Sequence, residues 1–183
     1  MRFTLLVGGS GGQGGMSMGM TLAESAVKGG KHASFMPLYG PEQRGGAAKC
    51  TVIISDEPII SPLPLKTDGL IAMNEASYKK YIKELRPGGL LVRNSSRSTS
   101  AIKRDDIRVL EIPADDIAVE LGSSKIAGIV LIGAMLGFSN MMDPKMLMDS
   151  LEEKFESKGD AIVDLNRRAL YKGVELGTKA AAG

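Results

Sequence analysis

Six glycines crowd the eight positions from Gly8 to Gly15, directly behind the apolar run Arg2–Val7 and directly ahead of the helix-forming stretch Met16–Lys28. Glycine is costly to order, so such crowding signals positive φ angles or a close approach to the main chain. A strand, a glycine turn and a helix start also gather unpaired N–H groups in one place, where an anionic group can bind. The helix that follows stops at Gly29-Gly30, residues suited to a left-handed cap. The chain therefore opens as a strand–turn–helix unit, which points to an α/β fold.

The remaining pattern extends that reading. Lys31–Met36, Ala48–Ser55, Asp68–Met73, Leu90–Val92 and Arg108–Ile112 read as strands. Between the last three lies a helix that Asn74 caps and that runs to about Arg86, stopped by Pro87-Gly88-Gly89. From Ala114 onward the pattern is helical. The run Ile126–Phe138 is apolar all round and so should be buried on every side. Asp143-Pro144 caps a further helix. Asp160 is expected to cap the last one, with Ile162, Leu165, Ala169, Leu170 and Val174 on one face and a frayed tail at Ala180–Gly183. The expected architecture is a single domain over residues 1–183. It is a three-layer α/β sandwich with a mostly parallel, Rossmann-like sheet and a helical C-terminal part.

Composition then narrows the chemistry. One cysteine and one histidine in 183 residues form no intrachain disulfide, iron–sulfur site or zinc finger, so any redox metal must sit on another chain. A net charge of +2, no tryptophan, and only four Phe and four Tyr offer no footing for nucleic acid. The longest apolar run carries three glycines and is shorter than the ~20 residues a bilayer requires. The N-terminal residues lack the pattern of a signal peptide. A cytoplasmic protein bound to neither nucleic acid nor membrane is the expectation.

Gly9, Gly11 and Gly14 satisfy the spacing G-x-G-x-x-G of dinucleotide-binding turns. The rest of that fingerprint is missing. The second strand ends in Ser34-Phe35-Met36-Pro37, with no acid before Glu42 to hold a ribose. No lysine followed by serine or threonine closes the glycines, so a P-loop is excluded. Two readings of the turn stay open at this stage: a bare strand-to-helix turn, or a cradle for a ligand. Between the second and third strands, Tyr39-Gly-Pro-Glu-Gln-Arg-Gly-Gly46 can present Glu42, Gln43 and Arg44 outward. Pro41 restricts the loop and Gly45-Gly46 reverses it. An arginine fork there suits a carboxylate or phosphate.

The segments Gly9-Ser-Gly-Gly-Gln-Gly14, Tyr39–Gly46, Cys50-Thr-Val-Ile-Ile-Ser-Asp-Glu-Pro58, Asp68-Gly-Leu-Ile-Ala-Met-Asn74 and Gly88-Gly-Leu-Leu-Val92 together resemble the gamma subunit of 2-oxoacid:ferredoxin oxidoreductases. The similarity is strongest to the separate-chain type acting on 2-oxoglutarate or 2-oxoisovalerate. It covers most of the chain and fades after Met142. One departure stands out: the family often places an asparagine near the start of the buried helix, where this chain has Ala127-Gly128.

The resemblance implies one component of a hetero-oligomer that decarboxylates a 2-oxoacid to an acyl-CoA. Thiamine diphosphate, Mg2+ and iron–sulfur clusters would lie on the alpha, beta and ferredoxin-like delta subunits, with ferredoxin as electron acceptor and coenzyme A as co-substrate. This chain would bind no cofactor alone, and no residue is singled out as catalytic. The residues expected to line the shared cleft are Gly9, Gly11, Gly12, Gln13, Gly14, Glu42, Arg44, Gly45 and Gly46. Arg44 would face a CoA phosphate or a substrate carboxylate, and Gln13 would supply a polar contact. The rivals are a free-standing NAD(P)- or flavin-dependent oxidoreductase, a non-catalytic binding module of the same fold, and loops that only shape a subunit interface.

Elsewhere, Gly133 and Gly137 permit close helix packing. The eleven methionines read as core or interface filler. His32 reads as a strand-edge residue, and the basic stretch Arg93–Arg108 as a solvated loop.

Overall fold

The computed structural model describes residues 1–39 and 47–183. Its strands are β1 (Arg2–Ser10), β2 (His32–Tyr39), β3 (Ala47–Ser55), β4 (Thr67–Ala72), β5 (Leu85–Asn94) and β6 (Arg108–Ile112). Its helices are α1 (Gly15–Lys28), α2 (Glu75–Tyr81), α3 (Ala114–Leu121), α4 (Ala127–Ser139), α5 (Pro144–Phe155) and α6 (Asp160–Ala182). The strands form one sheet in the order β2-β3-β1-β4-β5-β6. β3 runs antiparallel to both of its neighbours, while β1, β4, β5 and β6 are parallel. This is the expected α/β sandwich with a mostly parallel sheet. The order departs from a nicotinamide-binding unit in one respect. β3 separates β2 from β1, so the end of β2 is two strand spacings, about 10 Å, from the glycine turn.

Alternation along the central strands sorts the two faces. Leu5, Val7, Ile71 and Val92 point to the thick side, where α1 and α4 cover them, with α5 and α6 packed outside those helices. Leu6, Leu70 and Leu91 point to the thin side, against Tyr78 and Tyr81 of α2. Val130, Leu131, Ile132, Ala134, Met135 and Leu136 are all fully buried, so α4 has no solvent face, as its unbroken apolar run requires. Its fourth side is α6. Gly133 and Gly137 lie against the backbone of Leu170–Val174, and Gly173 and Gly177 lie against that of Val130–Ala134. The glycine pair therefore serves packing within the chain, through two helices whose backbones nearly touch.

Several boundaries differ from the sequence expectations. α2 ends at Tyr81, a 3-10 turn at Ile82–Glu84 follows, and β5 already begins at Leu85. Pro87-Gly88-Gly89 sits within that strand, where the β4–β5 register shifts between Thr67 and Gly69. α6 has Gly159 as its N-cap; Asp160 is its first residue and makes no cap bond, and the helix continues through the tail to Ala182. Its buried stripe is Asn166, Ala169, Leu170, Gly173 and Gly177, while Ile162 is 37% exposed. Asn74 and Asp143 do cap α2 and α5, accepting from Ser77 N (2.8 Å) and Lys145 N (2.9 Å). His32 opens the edge strand β2 and is exposed.

The basic stretch is partly tied down. Arg93 is 4% exposed, pairs with Glu111 and stacks 5.0 Å from the Tyr78 ring. Arg97 pairs with Asp115. Arg104 pairs with Asp106 (2.6 Å) and donates to the carbonyls of Ile82 (3.0 Å) and Leu85 (2.7 Å). Arg93 and Arg104 thus cross-link the chain, while Arg97, Lys103 and Arg108 are exposed, as a solvated loop would have them. No described helix is long and apolar enough to cross a membrane.

Candidate functional site

The carboxyl ends of β1, β2, β4 and β5 share one edge of the sheet. Gly8 is level with Ala72, Ala72 with Arg93, and both Gly9 and Tyr39 with Ala48. Such an edge, between strands whose connections leave in different directions, is where open α/β sheets form crevices. The glycine turn sits in the middle of it.

Gly12 and Gly14 adopt left-handed backbone, with φ of +89° and +79°, which a side chain would oppose. A Cβ at Gly11, Gly12 or Gly14 would meet nothing within 4 Å, so the turn is open outward. Gly9 faces inward. It is buried, and a Cβ there would press to 3.1 Å on Gln13 Oε1 and Met73 Sδ. The turn closes on a polar hub. Gln13 Oε1 accepts from the Ser10 backbone N–H (2.7 Å) and from Asn74 Nδ2 (2.8 Å). Asn74 Nδ2 also donates to Ser10 Oγ (2.8 Å) while its own Oδ1 caps α2. Gln13 is thus first an internal brace, with its amide nitrogen free of hydrogen bonds among the described residues. Gly14 is the N-cap of α1 and brings no side chain, and the first turn of α1 carries no acid. Its N–H groups are therefore left for an outside acceptor.

Clefts open on both sides of the turn. One, of about 420 Å3, lies between Gly12–Gly14 and a wall that includes Asn94, Arg97, Lys125, Ala127 and Gly128. Asn94 is 2% exposed; its Oδ1 accepts from Ser96 N (3.2 Å) and Ala114 N (3.1 Å), joining the end of β5 to the start of α3. Ala127-Gly128, at the start of α4, lines the same cleft across from the glycines. The other cleft, of about 350 Å3, runs from Gly9–Ser17 to Tyr39 and Ala48.

Gly9, Gly11, Gly12, Gln13 and Gly14 are therefore brought together at the sheet edge. Glu42, Arg44, Gly45 and Gly46 lie outside the described residues, although β2 and β3, which flank them, end beside the turn. Asn74, Asn94 and Lys125 were not anticipated. Asn74 was legible as a helix cap, and nothing in the local sequence marks the other two.

Cys50 is fully buried in β3, its Sγ 3.6 Å from the Gly15 carbonyl, and burial pushes its thiol up to about 12. It stays protonated at neutral pH, the wrong state for a metal ligand. No group of three or more His, Cys, Asp or Glu side chains that could hold a metal ion occurs among the described residues.

Residues 4–176 match the family model described as pyruvate ferredoxin/flavodoxin oxidoreductase. The chain belongs to this family. Within it, the chain is 35% identical over 178 residues to ketoisovalerate oxidoreductase subunit VorA of Methanothermobacter marburgensis. The match covers 97% of this chain and 37% of VorA, so the chain spans little more than a third of that relative. Among solved family structures, the gamma subunit of a keto/oxoacid ferredoxin oxidoreductase from Geobacter sulfurreducens superposes with a TM-score of 0.87 at 30% identity, covering 98% of both chains. The 2-oxoglutarate:ferredoxin oxidoreductase of Magnetococcus marinus, solved with 2-oxoglutarate, coenzyme A and succinyl-CoA bound, shares the fold. Its TM-score is 0.90 at 24% identity, covering 97% of this chain and 31% of that one. The gamma-subunit resemblance drawn from the two loops is thus the relationship that whole-chain comparison finds.

Proposed function

We propose that this chain is, over its whole length, the gamma component of a CoA-dependent 2-oxoacid:ferredoxin oxidoreductase, and that its glycine turn forms one wall of the cleft that admits coenzyme A. The observation that carries the reading is the open turn itself. Gly12 and Gly14, with nothing above them, and the uncapped N-terminus of α1 stand at a sheet-edge crevice of about 420 Å3, and Gly11, equally open, faces the adjoining cleft. That combination suits an extended ligand bearing phosphates. The Magnetococcus enzyme, which shares this fold, was solved with coenzyme A bound, and this supports the choice of ligand.

In the proposed assembly, alpha and beta chains and a ferredoxin-like delta chain hold thiamine diphosphate, Mg2+ and the clusters. Thiamine diphosphate supplies the carbanion chemistry of decarboxylation, and ferredoxin takes the electrons in the cytoplasm. This chain's residues bind and orient: Asn74 and Gln13 hold the turn in shape, the α1 N-terminus attracts phosphate, and Arg44 extends the cationic surface. The chain alone is inactive.

The nicotinamide alternative loses ground, because β3 intervenes where the ribose-binding strand of that fold would lie. The test uses the assembled enzyme with Gly128→Leu. A Cβ at Gly128 meets its nearest neighbours at an ordinary 3.4 Å, and the longer side chain would narrow the cleft that Gly128 lines; recovery of the assembled enzyme checks that the variant folds. The KM for CoA should rise at least about tenfold, with the 2-oxoacid KM little changed. If neither Gly128→Leu nor Arg44→Ala alters CoA binding, the reading is wrong.

A further inference from the structure

The connection between Ser55, which ends β3, and Thr67, which opens β4, is longer than its task requires. The two strands flank β1, so they lie two strand spacings, about 10 Å, apart. About three or four extended residues would bridge that distance. Eleven are used. The excess forms an arm at the amino ends of the parallel strands, at the sheet edge opposite the glycine turn. Its backbone is restrained. Pro58, Pro62 and Pro64 hold φ at roughly −65° and keep the residues before them extended. It is fastened at its start, middle and end. Glu57 N–H donates to Ser55 Oγ (3.1 Å), Arg2 Nη2 to the Ser61 carbonyl (3.1 Å), and Lys66 Nζ to the Lys83 carbonyl (2.6 Å). What this stiff arm presents is apolar. Ile60 is 96% exposed, Leu65 98% and Leu63 69%, while Ile59 and Pro64 turn partly inward. Ile60 and Leu65 are the two most exposed large apolar side chains among the described residues. Single exposed leucines are commonplace, but these three fall within six residues. A flexible loop would fold them back; the prolines hold them out.

We propose that this arm is a docking anchor that inserts Ile60, Leu63 and Leu65 into an apolar groove on another component of the oxidoreductase. The proposal rests on the reading of the chain as a component of that assembly. The occupant is the component corresponding to the part of VorA that this chain does not match. VorA carries a region like this chain as 37% of one polypeptide, so the remainder is that region's covalent neighbour. An arm stiffened in advance loses little freedom on docking, which suits it to fix the orientation of two such neighbours. A second copy of this chain fits less well. A two-fold contact through the arm would bring together the Arg2 and Lys66 of both copies, which flank the leucines. Three side chains bury far less than the ~800 Å2 per partner of a stable interface, so they form its anchor and surrounding surface supplies the rest. Docking at this edge leaves the cleft beside the glycine turn open.

The experiment makes Ile60→Ser/Leu63→Ser/Leu65→Ser in the full chain and titrates it, by surface plasmon resonance, against the remaining components of the enzyme. The variant chain alone should melt within about 2 °C of the wild type, because the three side chains touch little of their own fold. Its affinity for the other components should fall at least about a hundredfold. The KM for CoA of whatever enzyme does assemble should stay within about twofold. Val119→Ser, equally a surface change but on α3, should bind as the wild type does. Undiminished assembly of the triple variant overturns the anchor, as does an equal loss from Val119→Ser or a clear drop in the melting temperature. A wild-type chain that dimerises in sedimentation, with the triple variant monomeric, gives the arm to a second copy and overturns the proposal. A wild-type chain that binds no thiamine diphosphate-bearing component overturns the reading of the assembly itself, whatever the arm does.

Discussion

Gly173→Ala tests the packing that holds α4 in place, because two physical effects predict opposite signs. In an open helix, replacing glycine by alanine gains up to ~1 kcal/mol from backbone entropy. Here the added Cβ would lie 2.1 Å from the Val130 carbonyl oxygen and 2.8 Å from Ala134 N. Even a close C–H···O contact needs about 3.3 Å, so α6 would have to retreat from α4 by roughly 1 Å. A gap of that size forfeits a quarter to a half of each dispersion contact along the seam, and overpacking of this kind costs ~1–3 kcal/mol. With the steric cost near ~3 kcal/mol and the entropic gain near ~1, the variant should lose about 2 kcal/mol, or roughly 4–8 °C in Tm for a chain of this length. Urea unfolding followed by far-UV circular dichroism measures it. Gly128→Ala is the control, since its Cβ has ordinary 3.4 Å neighbours and its stability should stay level or rise. A Gly173→Ala protein as stable as the wild type would refute the close-packed seam.

Two further outcomes follow from the buried thiol and the terminal ion pair. Cys50 is fully buried with its thiol near 12, so a thiol reagent at pH 8 should leave the native chain unmodified and react at once in denaturant; rapid native labelling would contradict the packing of α1 on β3. Asp56 is held down to about 2 by Lys31 and then by the terminal ammonium, at 2.6 and 2.7 Å. A lowered carboxylate pKa contributes stability above its unfolded value near 4 and loses it as pH falls towards 2. Asp56→Asn should therefore flatten the acid limb of the stability curve between pH 4 and 2 while changing little at pH 1.5, where both proteins carry a neutral side chain.

What could be read from the sequence follows the range of the forces involved. Local signals were legible: the strand–glycine–helix order, the caps at Asn74 and Asp143, and the all-apolar α4. Each is decided by residues within one turn or strand of each other. The end of α2 was misplaced because Pro87 and Gly88 resemble a helix stop, whereas the β4–β5 register absorbs them as a bulge, a decision taken across two strands. The antiparallel β3 was equally hidden, since alternation within a strand does not encode the direction of its neighbour. Arg93 read as solvated because its partner, Glu111, is distant in sequence and adjacent only after β5 and β6 pair.

The site shows the same division. The glycine turn announces itself because its chemistry lies in the backbone, and backbone demands are written in consecutive residues. Lys125 and Lys154 announce nothing. They occur in ordinary surface-helix contexts, and only the packing of α5 against α1 brings Lys154 to Ser17 and Thr21. Glu42 and Arg44, the charges that local sequence did single out, belong to the stretch between β2 and β3 and lie outside the described residues. A side chain's contacts are legible in sequence only where its neighbours in space are also its neighbours along the chain.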